Sequence, residues 1–250
     1  MMATSHIAAP AGTKAIIVDY DKTFVDDRIA AAIGKAYILR ELKHGHFLNF
    51  MHGVQGSKRV MEVVKAEGEN GNAEGLKAFY DVLIGMGLGK KDEIREFAAR
   101  YLRKHQIEAV GEFLYWTDVT LPRILATTGG STAAQLAAKA FDFEHVIANE
   151  DLFDDHGGLT GVKLTIRNGR DKRDAVLDLL RTLEIPIEKC VMIGDGQDDI
   201  PLFMAVPPER RFASPLASEE VRRIPGITVL RSDLNLADVM IQRNMQLSSQ

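Results

Sequence analysis

Asp19 and Asp21 stand two residues apart, where the apolar run AIIV of residues 15–18 gives out. In extended geometry that spacing projects both side chains from one face of a strand. Two like charges so close are costly unless one takes a proton or a cation sits between them. A solvated strand-to-loop turn would also use aspartates, and a DxD triplet alone is a weak signal.

Two later runs share this character. GDGQDD places Asp195 and Asp199 after another apolar run, with Gly194 and Gly196 letting the backbone approach a ligand closely. Four carboxylates after separate strands make a set of hard oxygen donors suited to Mg²⁺, which keeps waters and takes a couple of carboxylates plus substrate phosphate. LATTGG ends in Thr127 or Thr128 as a hydroxyl source and in Gly129 and Gly130, which lead into a helix amino terminus favourable to an anion. Lys172, read as standing just ahead of a helix at Arg173, would bring a cation to the same phosphate.

The elements that must position these groups alternate. Residues 15–18 read as a strand buried on both faces, and from Thr120 onward apolar runs alternate with amphipathic stretches. The runs LPRILATTGG, HVIAN and CVMIG read as strands, DLFDDHGGLTG as a hairpin-like excursion, and RRFA and ITVL as edge strands. Helices are expected near 131–140, 173–183, 217–224 and 233–243. The pattern predicts an α/β fold, a doubly wound, Rossmann-like parallel sheet, with ligands beyond the carboxyl ends of its strands.

Between the first strand and residue 119 no strand-like run occurs. Asp26 is placed to cap a helix whose apolar positions Ile29, Ile33, Tyr37, Ile38 and Leu42 recur at helical spacing as far as Gly45. Further helices are expected over 56–67, 74–86 and 91–106. So long a segment is expected to form a helical cap over 26–117, inserted into a core of 14–25 and 118–245, with flexible tails at 1–13 and 246–250. His44, His46 and His52 lack a cysteine or carboxylate at ligand spacing and read as solvated turn residues.

With 46% hydrophobic and 26% charged residues in 250, the composition is that of a globular chain with ample length for a core. A net charge of −4 excludes general attraction to nucleic acid or anionic membrane. The lone Cys190 reads as a small buried hydrophobe. No basic segment followed by a sustained apolar one opens the chain, no run reaches the length of a membrane span, and a cytoplasmic location is expected.

Taken in order, these runs resemble the haloacid dehalogenase superfamily, whose phosphatase members carry four ordered signatures. Here DxDxT after apolar residues stands as IIVDYDKT, a strand ending in Thr or Ser as ILATT, a lysine before a helix as Lys172, and GDGxxD as GDGQDD. The match runs from about residue 15 to residue 203, and the helical insertion and the GGLTG run are similar to the phosphoserine phosphatase-like branch.

The resemblance implies that Asp19 is a nucleophile forming an aspartyl-phosphate, and that Asp21 protonates the leaving oxygen and then deprotonates water. It implies Mg²⁺ held by Asp19, the backbone carbonyl of Asp21 and Asp195, with Asp199 behind them positioning waters or Lys172. Thr128, Gly129 and Lys172 would bind the phosphoryl group; aligning the two glycines with the branch's usual Ser-Gly-Gly favours Thr128 over Thr127. Arg28 stands where serine-phosphate members place a Glu, and a guanidinium suits a carboxylate or second phosphate instead of an ammonium.

The expected function is hydrolysis of a small cytosolic phosphate ester. The alternatives are transfer of the aspartyl-phosphate to an acceptor alcohol and a non-catalytic phospho-accepting module. Asp21 argues against the last, which needs no general acid.

Overall fold

The computed structural model describes residues 9–26, 28–66 and 71–231. The helix expected over 233–243 and most of the two expected tails lie outside the described residues.

Among the described residues seven strands form one sheet: β1 (Ala15–Val18), β2 (Arg123–Gly130), β3 (His145–Phe153), β4 (Leu159–Lys163), β5 (Cys190–Gly194), β6 (Arg211–Ala213) and β7 (Thr228–Val229). Their order is β4-β3-β2-β1-β5-β6-β7, and every pair is parallel except β3 with β4. All four residues of β1 are fully buried, as a central parallel strand requires. Its side chains alternate: Ile16 and Val18 join one apolar cluster, Ala15 and Ile17 the other. From β1 the chain moves outward through β2 and β3 on one side, then returns to β5 and moves outward on the other. The ends of β1, β2 and β5 therefore flank the crevice where crossovers diverge.

Among the described residues five helices separate β1 from β2: α1 (Ile29–Lys43), α2 (Phe47–Ala66), α3 (Gly71–Gly85), α4 (Lys91–His105) and α5 (Glu108–Trp116). The insertion is thus helical, as expected, but its elements differ in extent. Helix α2 begins nine residues ahead of its expected start because Gly53 and Gly56 do not break it. A Cβ at Gly53 would lie 2.6 Å from Ile38 and one at Gly56 2.5 Å from Val82, so these glycines are where α1 and α3 press against α2. Helix α5 was not separately expected. Asp26 does not cap α1: the N-cap is Arg28, and Asp26 instead accepts from Tyr101 Oη (2.9 Å) and pairs with His105 Nδ1 (3.0 Å).

Helices α4 and α5 pack on the sheet face. Ile94, Ala98, Leu102, Val110, Phe113 and Leu114 are buried in the same cluster as Val18 and Ile193. α6 (Ser131–Ala140) covers that face, while α7 (Gly169–Thr182), α8 (Ile200–Ala205) and α9 (Glu219–Arg222) cover the other. Cys190 is buried in the second cluster. No helix among the described residues is long and apolar enough to cross a membrane.

Candidate active site

The end of β1 is fixed before any side chain acts. Asp19 N–H donates to Ile193 O (2.9 Å), which ties it to β5. The chain then curls, Phe24 and Val25 both donating to Tyr20 O, with Lys22 in the left-handed region (φ 59°). Ser214 Oγ holds that turn by donating to Lys22 O (2.7 Å). The curl buries Thr23, whose hydroxyl donates to Asp195 Oδ1 (3.0 Å) across the gap between β1 and β5.

The turn after β5 is organised around Asp199. Its Oδ2 accepts from Asp195 N–H (2.8 Å) and Gly196 N–H (3.1 Å), and its Oδ1 accepts from Lys172 Nζ (2.6 Å). A Cβ at Gly194 would lie 2.5 Å from Asp199 Cγ, so the strand end needs glycine. Both Asp199 oxygens are engaged, which leaves Asp19 and Asp195 to face outward.

Lys172 lies inside the first turn of α7, not ahead of the helix. Asn168, three residues before Asp171, caps it by accepting from Arg170 N–H (2.9 Å) and Asp171 N–H (3.1 Å), a signal the spacing carried and the expected start at Arg173 passed over. Lys172 is 1% exposed and donates to both Asp19 Oδ1 (2.5 Å) and Asp199 Oδ1 (2.6 Å). Burial opposes its charge, but the two carboxylates outweigh it and hold the ammonium above the usual lysine range.

At the end of β2, Thr127 Oγ1 accepts from Gly129 N–H (2.9 Å), which commits that amide within the loop. Thr128 Oγ1 lies 3.4 Å from Asp198 Oδ2. A Cβ at Gly129 would come within 3.4 Å of Asp21 Oδ2, which sets Asp21 opposite β2. Behind Thr128 stands Asn149, fully buried on β3. Its amide nitrogen donates to Thr128 O (2.8 Å) and Ile166 O (2.9 Å), and its oxygen accepts from Thr165 and Ile166 N–H (2.8 Å each).

Sequence reasoning missed Asn149, Thr23 and Asp198. Thr23 carried a signal as the threonine of DxDxT and Asp198 as the first acid of QDD; Asp198 accepts from Asn72 Nδ2 of α3, linking the helical insertion to the site.

Asp19, Asp195 and Asp199 each bring one carboxylate oxygen within 4.8 Å of the others. Burial, then the charge of Asp199, pushes Asp19 well above the carboxylate range despite Lys172. The same causes push Asp195 up to about 7, and burial raises Asp198. Carboxylates so raised lack positive charge, and the Asp19 and Asp195 oxygens, with Asp199 engaged beside them, fit a small hard cation such as Mg²⁺. The three histidines show no such set: His46 pairs with Glu41 (2.9 Å), and His44 and His52 are exposed.

All of Asp19, Asp21, Thr128, Gly129, Asp195 and Asp199 line one cavity. Lys172 is buried behind the lining, in contact with Asp19 and Asp199.

A model of the haloacid dehalogenase-like hydrolases matches residues 16–204, about three quarters of the chain. The chain belongs to that family. No curated protein matches it. Among solved structures, it is similar to a substrate-bound phosphoserine phosphatase (TM-score 0.62, 18% identity, 92% of this chain and 98% of that one). It is equally similar to a phosphoserine phosphatase carrying a phospho-aspartyl intermediate analogue (TM-score 0.61, 18% identity, 92% and 98%). A protein of unknown function from Bordetella pertussis Tohama I resembles it as closely (TM-score 0.62, 18% identity, 87% and 97%). At these identities the likeness is one of fold, a sheet with an inserted helical cap.

Within this hydrolase family member the two signatures farthest apart in sequence lie side by side. IIVDYDKT and GDGQDD lie on the adjacent strands β1 and β5, paired from Ala15 with Cys190 to Val18 with Ile193.

Proposed function

We propose that this hydrolase is a Mg²⁺-dependent phosphomonoester hydrolase acting through an aspartyl-phosphate on Asp19. The observation that carries the reading is the contact of Lys172 with Asp19, set beside Asp195 at the mouth of the sheet. It puts a nucleophilic oxygen, a cation for the phosphoryl oxygens and a metal-binding acid at one point.

In the first step a carboxylate oxygen of Asp19 attacks phosphorus, the ester P–O bond breaks, and Asp21 gives its proton to the departing alkoxide. In the second, water attacks the same phosphorus while Asp21 takes its proton, the bond to Asp19 breaks, and phosphate leaves. Bound Mg²⁺, held by Asp19, the Asp21 carbonyl and Asp195, would neutralise charge between the nucleophile and the phosphoryl group. Thr128 and Lys172 hold the phosphoryl oxygens, Gly129 leaves room for them, and Asp199 orients Lys172.

Within the helical cap over 26–117, α1–α3 form the lid, the part that covers the site, since these helices line the cavity. The cytoplasm is its proposed location.

The test is phosphate release from a panel of generic esters with Mg²⁺, for the native protein and Asp19→Asn. Release that ends in the variant supports the assignment; full activity in Asp19→Asn removes Asp19 as nucleophile.

A further inference from the structure

The cavity above Asp19 has a volume of about 760 Å³, near the upper part of the range for ligand pockets and far more than a phosphate on a small polyol would fill. Its two ends differ in chemistry. The floor is the acid cluster described above. The walls come from α1–α3 and are mostly hydrocarbon, with Ile38, Val60, Val64, Leu76, Phe79 and Val82, and carry two cations, Arg28 and Lys35.

Three of the neutral polar side chains that the lid adds are already engaged. Tyr37 Oη donates to Glu93 (3.0 Å), Ser57 Oγ to Gly53 O (3.0 Å), and Asn72 to Asp198. Among the described residues the lid contributes no carboxylate to the lining, so an ammonium on the substrate would find no counter-ion there. Gly34, Gly53, Gly56 and Gly75 fill other wall positions, where the helices touch too closely for a side chain: a Cβ at Gly34 would lie 2.7 Å from Phe79.

The apolar lining also continues to the outside. Leu39 and Met61 both line the cavity, yet they are 53% and 56% exposed. Large exposed apolar side chains at the mouth of a hydrocarbon-walled cleft are what a ligand longer than the cleft would cover.

The geometry points to a phosphate monoester of an alcohol with an extended hydrocarbon body, its phosphate on the acid floor and its chain between α1, α2 and α3. This rests on the phosphomonoester reading for the position of the head group. It disfavours a zwitterionic amino-acid ester as the preferred substrate, because among the described residues α1–α3 bring no acid to the lining.

The experiment uses two series on the full chain with Mg²⁺: n-alkyl phosphates for turnover, and non-hydrolysable n-alkyl phosphonates, methyl to octyl, for binding by calorimetry. Burying each added methylene in such walls should tighten phosphonate binding by about threefold until the cleft is filled, with inorganic phosphate competing. kcat/KM should climb along the ester series, far above that for phosphoserine or glycerol phosphate. Val60→Phe, which takes space from the cleft, should shorten the optimal chain. Turnover that is flat with chain length, or that favours the polar esters, overturns the inference and leaves the phosphatase reading standing. If no ester is cleaved, that reading fails, and the phosphonate series still decides: affinity rising with length supports the hydrocarbon site, and affinity independent of length removes it.

Discussion

Lys172 donates to Asp19 Oδ1 across 2.5 Å although 153 residues separate them, and the same ammonium reaches Asp199 at 2.6 Å. One buried cation thus ties the end of β1 to the turn after β5. Removing one partner of a buried ion pair leaves the other uncompensated, a penalty on the order of 3–5 kcal/mol. Lys172→Met should therefore lower the urea midpoint strongly and cut kcat/KM by about 10²–10³-fold, as losing an oxyanion donor does. An unchanged midpoint would mean that the carboxylates shed their charge without cost.

The raised carboxyls set a pH dependence of stability in metal-free protein. Asp195 is pushed up to about 7, and Asp19 is also raised, by burial and by neighbouring Asp199. Between the unfolded carboxylate pKa of about 4 and the folded value, the native state binds more protons than the unfolded chain, so stability falls as pH rises. Above the folded values the loss is complete and the curve levels. Thermal melts in chelator should show this decline, and saturating Mg²⁺ should flatten it, because the ion replaces the missing positive charge. A metal-free midpoint that rises across the same interval would contradict the sign.

Asp21 is the residue whose proposed role depends on the leaving group. An alkoxide needs a proton as it departs, whereas a nitrophenolate does not. Asp21→Asn should reduce the rate on alkyl esters by about 10²–10⁴-fold, the usual contribution of general acid catalysis, and reduce it far less on p-nitrophenyl phosphate. Equal losses on both esters would assign Asp21 to metal binding or folding instead of proton transfer.

What the sequence let one read followed from period and position. The buried run at 15–18, the alternation after Thr120 and the glycine-flanked acids were enough to expect the sheet and to bring Asp19, Lys172, Asp195 and Asp199 toward one place. Helix limits were harder. The start of α2 was expected at 56, since sequence does not reveal that Ile38 and Val82 press against Gly53 and Gly56 inside one longer helix. Asn149 was invisible for a similar reason. An asparagine inside HVIAN carries no mark of the four hydrogen bonds it makes to segments up to 21 residues away. Asp198 had a motif position but no partner until α3 placed Asn72 over it.

Asn149 supplies the last expectation. Fully buried, it satisfies Thr128 O, Ile166 O and two amides from a single side chain, so it holds the loop that presents the Thr128 hydroxyl. Truncation strands four backbone groups at roughly 1 kcal/mol each, and Asn149→Ala should cost about 4 kcal/mol of stability. Its catalytic signature should differ from that of Lys172→Met. With Asp19, Asp21 and Lys172 untouched, the variant should bind inorganic phosphate more weakly and raise KM, with a smaller change in kcat. Asn149→Asp keeps the acceptor toward Thr165 and Ile166 but loses both donors, so it should rescue only part of the stability and none of the Thr128 placement. Phosphate affinity equal to that of the native protein in both variants would show that Thr128 is held by the β2–β3 ladder alone.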